Sequence, residues 1–237
     1  MTAAGDIVQI GGITLIHGDA FDHLPTFVGQ CDLLCTDHPY RLTSGGCAAP
    51  GEGPMSGMFD ASDYDNSGDL MAIVEWSQTA GPIYRALKPD ADAYVMVNDK
   101  NLALAHGAFI GAGFALHNVL VWDKGAPTRN RWYMKNLEFT LYFWKGRADK
   151  PINNPGSTQL WREHRPPNRV HPTQKPVCLM RHYIANSSQP DDVVLDPYMG
   201  SGSTLVAAAQ EGRRGIGIEI NAEHFANAVD RVREVAE

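Results

Sequence analysis

Residues 191–220 read DDVVLDPYMGSGSTLVAAAQEGRRGIGIEI. An apolar run, Val193 to Leu195, ends on Asp196, and Gly200-Ser201-Gly202 then break it. Ser203 to Gln210, packed with alanine, reads as a short helix; Gly212 stops it, and Gly215 to Ile220 is a second apolar run carrying Glu219. Strand, glycine turn, helix and strand make a βαβ unit. The glycines let backbone approach a ligand, and the acid 23 residues after Asp196 is placed to take ribose hydroxyls. A dinucleotide fingerprint needs a third glycine three places after Gly202, where this chain has Leu205, and no GK[ST] of a phosphate loop is present. The stretch therefore reads as a nucleoside site, with a ligand-free structural turn as the alternative.

Working outward, 237 residues with 43% hydrophobic content suit one domain, residues 1–237, with a sizeable core. No run of 18 apolar residues exists, and MTAAGDIVQIGG has neither a basic leader nor a long apolar one. The expectation is a cytoplasmic protein with no membrane partner. Cys31, Cys35, Cys47 and Cys178 form no CxxC pair, so no metal is expected. The net charge is −7, yet between Lys124 and Lys175 there are 11 Lys and Arg against 3 acids, leaving 9 against 24 elsewhere. Such a local basic stretch is either a solvated face or a footprint on a phosphate backbone.

Upstream, VQIGGITLIHGD reads as a hairpin or strand, followed by a short helix from Ala20 to Leu24 capped by Asp19. Cys31 to Thr36 is a short strand ending in Asp37-His38-Pro39-Tyr40. Arg41 to Asp69, rich in Gly, Ser, Pro and Asp, reads as a long loop expected to close over the site. A helix from Leu70 to Leu87, interrupted at Pro82, follows. Then come a turn Lys88-Pro89-Asp90, a strand Ala91 to Val97, a helix Lys100 to Ala112 and a strand Phe114 to Trp122. Asn136 to Lys145 alternates as a strand antiparallel to its predecessor. Pro127 to Tyr133 is a basic and aromatic loop, and Gly146 to Val170 is polar, basic and proline-rich. His171-Pro172-Thr173-Gln174-Lys175-Pro176 opens a helix from Val177 to Asn186, and Asn221 caps the last one. Alternating β and α elements with an antiparallel pair fit a mostly parallel sheet covered on both faces.

The Asp37 turn has its own chemistry. An exocyclic amino group on adenine or cytosine is a poor nucleophile, because its lone pair is delocalised into the ring. Acceptors that draw the nitrogen towards tetrahedral geometry activate it. Asp37 supplies a carboxylate, the residue after it a backbone carbonyl, Pro39 stiffness, and Tyr40 a face for a flipped base. Taken alone, the tetrapeptide is also readable as an ordinary strand-end turn with a buried tyrosine.

Together, Asp196-Pro197-Tyr198-Met199-Gly200-Ser201-Gly202 and Asp37-His38-Pro39-Tyr40 resemble the two motifs of the S-adenosylmethionine-dependent DNA amino-methyltransferases, in the order of their β group. The resemblance implies a Rossmann-like class I methyltransferase fold: α/β, with a mostly parallel seven-stranded sheet, an antiparallel closing strand and helices on both faces. It implies S-adenosylmethionine as cofactor, held by Asp19, Thr36, Asp37, Thr173, Lys175, Asp196, Pro197, Tyr198, Gly200, Gly202, Thr204 and Glu219. It also implies double-stranded DNA as partner, with Asp37, His38, Pro39 and Tyr40 catalytic. Arg129, Arg131, Lys135, Arg162 and Arg165 are the expected DNA contacts. Residues 146–170 sit where the β group places target recognition, but are short for it, so the 41–69 loop or a second subunit of a homodimer is expected to share the task. His38 stands where the family carries proline; only a carbonyl is needed there, and the imidazole is expected to add a titrating group. The leading Asp, where cytosine-N4 enzymes more often carry Ser, points to adenine N6, with cytosine N4 or a non-catalytic DNA-binding homologue as alternatives.

Overall fold

A computed structural model describes residues 5–40, 73–128, 133–147, 150–164 and 174–236. The 41–69 loop expected over the site lies outside the described residues. In chain order the elements are β1 (Ile7–Ile10), β2 (Ile13–His17), α1 (Ala20–His23), β3 (Cys31–Asp37), α2 (Trp76–Ala86), β4 (Leu87–Val97), α3 (Leu102–Ala112) and β5 (Ala115–Thr128). They continue with β6 (Lys135–Trp144), β7 (Leu160–Arg162), α4 (Val177–Ser187), β8 (Val193–Asp196), α5 (Ser203–Gln210), β9 (Arg214–Glu219) and α6 (Ala222–Ala236).

The strands form one sheet in the order β1-β2-β9-β8-β3-β4-β6-β5-β7. Nine strands replace the expected seven. β1 is an outer arm, antiparallel to β2 around Gly11 at φ 54°. β7, three residues in a segment read as irregular, adds parallel to β5 at the other edge and is too short to show a period. As expected, β6 is antiparallel to β5, and it is antiparallel to β4 as well, between the two.

Alternation along the inner strands sends side chains to two cores. Leu34, Ala93, Val95 and Leu141 pack with Ile83 of α2 and Phe109 of α3. Leu33, Cys35, Tyr94 and Met96 pack with Leu179 of α4, Leu205 of α5 and Phe225 of α6. Burial on both faces is why these strands read as near-continuous apolar runs.

Two expectations are corrected locally. The helix expected from Leu70 begins at Trp76, because Val74 donates its N–H to the Pro39 carbonyl at 3.0 Å and the chain is still extended there. Pro82 removes one helical rung without interrupting α2, since Trp76, Thr79, Ala80, Ile83 and Ala86 keep one face buried. The turn expected at 88–90 is absorbed into β4 as an irregularity opposite Cys31 and Leu33, with Asp90 at φ 59°.

The topology also says where a ligand belongs. From β8 the chain crosses through α5 to β9 on one side, and from β3 through α2 to β4 on the other. These neighbouring parallel strands therefore part at their carboxyl ends, which opens a crevice at the switch point. Asp37 and Asp196 end the two strands.

α5 lies directly on β9, because Gly215 and Gly217 carry no side chains. A Cβ on Gly217 would overlap Leu205 and Met199. Gly217→Ala is therefore expected to lower the unfolding free energy by about 1–3 kcal/mol, as overpacking does. Urea denaturation checks this, and an unchanged midpoint would show that α5 lifts off the sheet freely.

Candidate active site

The crevice is joined by one buried contact: Thr36 Oγ1 donates to Asp196 Oδ1 at 2.7 Å. Thr36 is fully buried, so its hydroxyl supports Asp196 from below and does not line the cavity. Asp196 is 3% exposed and also accepts from the Tyr198 N–H at 3.2 Å and from the Thr204 hydroxyl. Burial pushes its carboxyl up to about 7, against the pull of these donors. Asp196 and Thr204 both reach the cavity wall, but their polar atoms are already engaged with each other.

Beyond Asp196 the chain turns at Gly200 (φ 51°) and Gly202 (φ 79°), conformations that favour glycine. A Cβ on Gly200 would meet nothing within 4 Å, whereas one on Gly202 would press on Ala228 of α6. Gly200 faces the cavity and Gly202 seats α5 against α6. Glu219, at the end of β9, accepts from Gly200 N–H at 2.9 Å and from Asn221 N–H at 2.8 Å. Its carboxyl is raised by burial and held back by these amides. Asp19 caps α1 through Phe21 N–H at 2.8 Å and lines the same cavity, as do Pro197 and Tyr198.

On the opposite wall, Asp37 is held by Lys175, with Nζ 2.5 Å from Oδ2. Lys175 sits just before α4 and is 8% exposed. Its ammonium also lies 3.4 Å from Glu138 of β6, and Glu138 is 3.2 Å from Lys124 of β5. Burial raises the Asp37 carboxyl above its ordinary value, and Lys175 opposes this. Burial alone would lower Lys175, but Asp37 and Glu138 more than reverse that, so it stays protonated. Glu138 and Lys124 are absent from the sequence reading. Glu138 is an acid inside an alternating strand, which the pattern assigns to solvent, whereas its side chain is only 20% exposed.

His38, Pro39 and Tyr40 follow. The His38 carbonyl accepts from Tyr40 N–H at 3.0 Å, which closes the turn. The imidazole is 2% exposed and stacks on Trp76 at 4.0 Å, with Tyr198 edge-on at 5.1 Å. Neither ring nitrogen has a hydrogen-bond partner among the described residues. Burial lowers its pKa to about 3, which corrects the expectation of a titrating group: the ring is neutral near pH 7. Tyr40, 8% exposed, lies beside Trp76 at 5.7 Å, and Tyr198 is braced by Thr79 at 2.5 Å between hydroxyl oxygens. Trp76 is a further residue that the sequence reading missed; its place at the first turn of α2 depends on where that helix starts.

The described residues of both walls line one cavity of about 500 Å³, within the usual range for small-molecule sites. Of the expected DNA contacts, Lys135 pairs with Asp99 at 3.0 Å and Arg162 with Asp123 at 3.5 Å, at the β5–β6–β7 end of the sheet. Thr173, Arg129, Arg131 and Arg165 lie outside the described residues.

The buried Asp196 yields a stability prediction. Its carboxyl moves from 3.8 to about 7 on folding, so between those values the folded state holds a proton that the unfolded state has released. Stability from this group is complete below pH 3.8 and is lost as pH rises through 7, by roughly 4 kcal/mol in all. In Asp196→Asn this dependence disappears. The variant is expected to gain on the parent by that amount between pH 4 and 8 in urea titrations; parallel curves would refute the assignment.

The DNA methylase family profile (N6_N4_Mtase) matches residues 31–230. The chain is 32% identical to the putative methylase YubD of Escherichia coli (strain K12), over 93% of this chain and 90% of that protein. It is 28% identical to the type II methyltransferase M2.DpnII of Streptococcus pneumoniae, over 92% and 88%. Among solved structures, the M1.HpyAVI–SAM complex superposes with a TM-score of 0.70 at 26% identity, covering 92% of this chain and 99% of that one. The cytosine-N4-specific PvuII DNA methyltransferase also reaches 0.70, over 95% and 90%, and at 16% identity shows the shared fold alone. A profile match across both walls of the crevice, with a relative 32% identical along nearly the whole chain, makes this protein a member of the DNA methylase family.

Proposed function

We propose that the protein transfers a methyl group from S-adenosylmethionine to the exocyclic amino group of a base flipped out of duplex DNA, adenine N6. The observation that carries this reading is the pairing of walls across one cavity. Asp37, restrained by Lys175, faces the glycine turn and Glu219 from the neighbouring strand end.

The cavity fits the cofactor on its own chemistry. Glu219 is anchored by the Gly200 and Asn221 N–H groups and keeps acceptor capacity for ribose hydroxyls. Gly200 leaves open space where a side chain would stand. Asp19, Asp37, Asp196 and Glu219 bring carboxyl groups to the lining, which suits a cationic ligand. When bound, the cofactor supplies a methyl group on a positively charged sulfur.

The remaining work falls to the chain. Lys175 occupies Oδ2 of Asp37 and leaves Oδ1 to accept an amino N–H. The His38 carbonyl, with a second lone pair beyond the one given to Tyr40, accepts the other. Two acceptors out of the ring plane localise the nitrogen lone pair and stabilise the charge that develops as the N–C bond forms. Asp37 is also the nearest acceptor for the proton that nitrogen must then lose. Tyr40, backed by the buried Trp76, gives the flipped base an aromatic face. Lys135, Arg162 and the basic residues at 129, 131 and 165 are proposed to meet phosphates.

The choice of adenine rests on Asp at position 37. Labelled S-adenosylmethionine and unmethylated genomic DNA, followed by digestion to nucleosides and mass spectrometry, test it. N6-methyladenine is expected. N4-methylcytosine would keep the mechanism and change the base; no labelled nucleoside, with cofactor bound, would overturn the enzyme reading. Asp37→Ala is expected to lower methyl transfer at least about a hundredfold, the scale for losing one preorganised polar partner of the transition state. Cofactor binding by calorimetry should remain. Undiminished turnover would remove Asp37 from the reaction.

A further inference from the structure

Four charged side chains of alternating sign run inward from the β5–β6 end of the sheet. They are Lys124, Glu138, Lys175 and Asp37, joined by contacts of 3.2, 3.4 and 2.5 Å. Asp37 and Lys175 line the cavity, and Glu138 and Lys124 stand behind them. Lys124 and Lys175 are 6% and 9% exposed at their side chains, and Glu138 is 20% exposed. The sequence scatters them over β5, β6, the approach to α4 and β3. A surface pair at these distances would do little; charges taken out of water hold one another because the alternative is desolvation without compensation.

The distances define the geometry at Asp37. An ammonium has three donors, and Lys175 directs its charge towards two carboxylates, near Asp37 and slightly farther from Glu138. Had Lys175 only Asp37 to serve, it would neutralise that carboxylate fully. Its Nζ would also be free to slide towards Oδ1, the oxygen that the amino group needs. Glu138 stands on the other side of the ammonium, and Lys124 pairs with Glu138 in turn.

We infer that Glu138, backed by Lys124, is a positioning residue for methyl transfer, dividing the Lys175 ammonium so that Asp37 retains an electron-rich, unshared oxygen for the amino group. This rests on the proposed function of the same site. The groups facing Asp37 are Lys175 from the approach to α4, Glu138 from β6, Asp196 from β8 and the Tyr40 hydroxyl beyond the turn. Of these, Glu138 is the carboxylate that shares Lys175, and its negative charge holds the Asp37 carboxyl up.

The test uses the full chain with Glu138→Gln. A second variant, Lys124→Met with Glu138→Gln, removes one charge of each sign and keeps the interior balanced should the first fail to fold. Steady-state transfer to DNA is expected to fall about tenfold in kcat with KM nearly unchanged, the scale of one weakened electrostatic contact. The acid limb of the pH profile should move down, because Lys175 then acts on Asp37 alone. Glu138→Asp should restore part of the rate, and S-adenosylmethionine affinity by calorimetry should stay within about twofold. A wild-type kcat and acid limb in either folded variant would overturn the inference. Carbon-13 NMR titration of the Asp37 carboxyl reads the same contact without turnover. A lower midpoint in the variants supports the positioning even if the parent methylates no DNA base, and an unmoved midpoint overturns it whatever the activity.

Discussion

The hydrogen bond from Thr36 to Asp196 joins the two halves of the site at their closest approach. β3 and β8 are parallel neighbours, paired through Leu33–Val194 and Leu34–Leu195, and beyond them the chain departs in opposite directions. Nothing in the ladder continues past those pairs, so the side-chain bond fixes the crevice width where the ladder ends. Every later position depends on it. Asp37 follows Thr36 directly, and the glycine turn follows Asp196. The cost is a carboxyl held away from water, which three donors only partly offset.

Charge follows the same division. The chain as a whole is acidic, and so is the cavity: Asp19, Asp37, Asp196 and Glu219 line it, with Lys175 as the single lysine or arginine among its described lining residues. By sequence, positive charge is concentrated between residues 124 and 175. Lys124 and Lys175 belong to the basic segment by sequence yet are buried, so counting charges overstates the surface available to DNA.

The βαβ unit at 193–219 was legible to within a residue, because glycines and an apolar run leave little choice there. The same holds for Asp19 and Asn221, whose side chains cap α1 and α6 as their positions require. Glu138, Lys124 and Trp76 were not legible. Their roles depend on which strands lie side by side, and the insertion of β6 between β4 and β5 is what carries Glu138 to Lys175. Thr36, just before one motif, and Gly202, at the end of the other, do not line the cavity, since motif spelling does not say which side chain faces the ligand and which faces the core. Strand count failed for a related reason: β7 owes its existence to pairing with β5 at Val121 to Asp123, a partner 39 residues away in sequence.

His38 shows how a motif position can change without altering the chemistry assigned to it. The turn uses the residue's carbonyl, which any amino acid supplies, and Tyr40 N–H and Pro39 hold that carbonyl in place. The imidazole does a separate job, filling the space between Trp76 and Tyr198 with a flat ring. Burial keeps the ring neutral, so it adds no positive charge beside the cavity. The carboxyls that burial raises along the cavity are those of Asp37, Asp196 and Glu219. The fold accommodates histidine at this position without burying a positive charge.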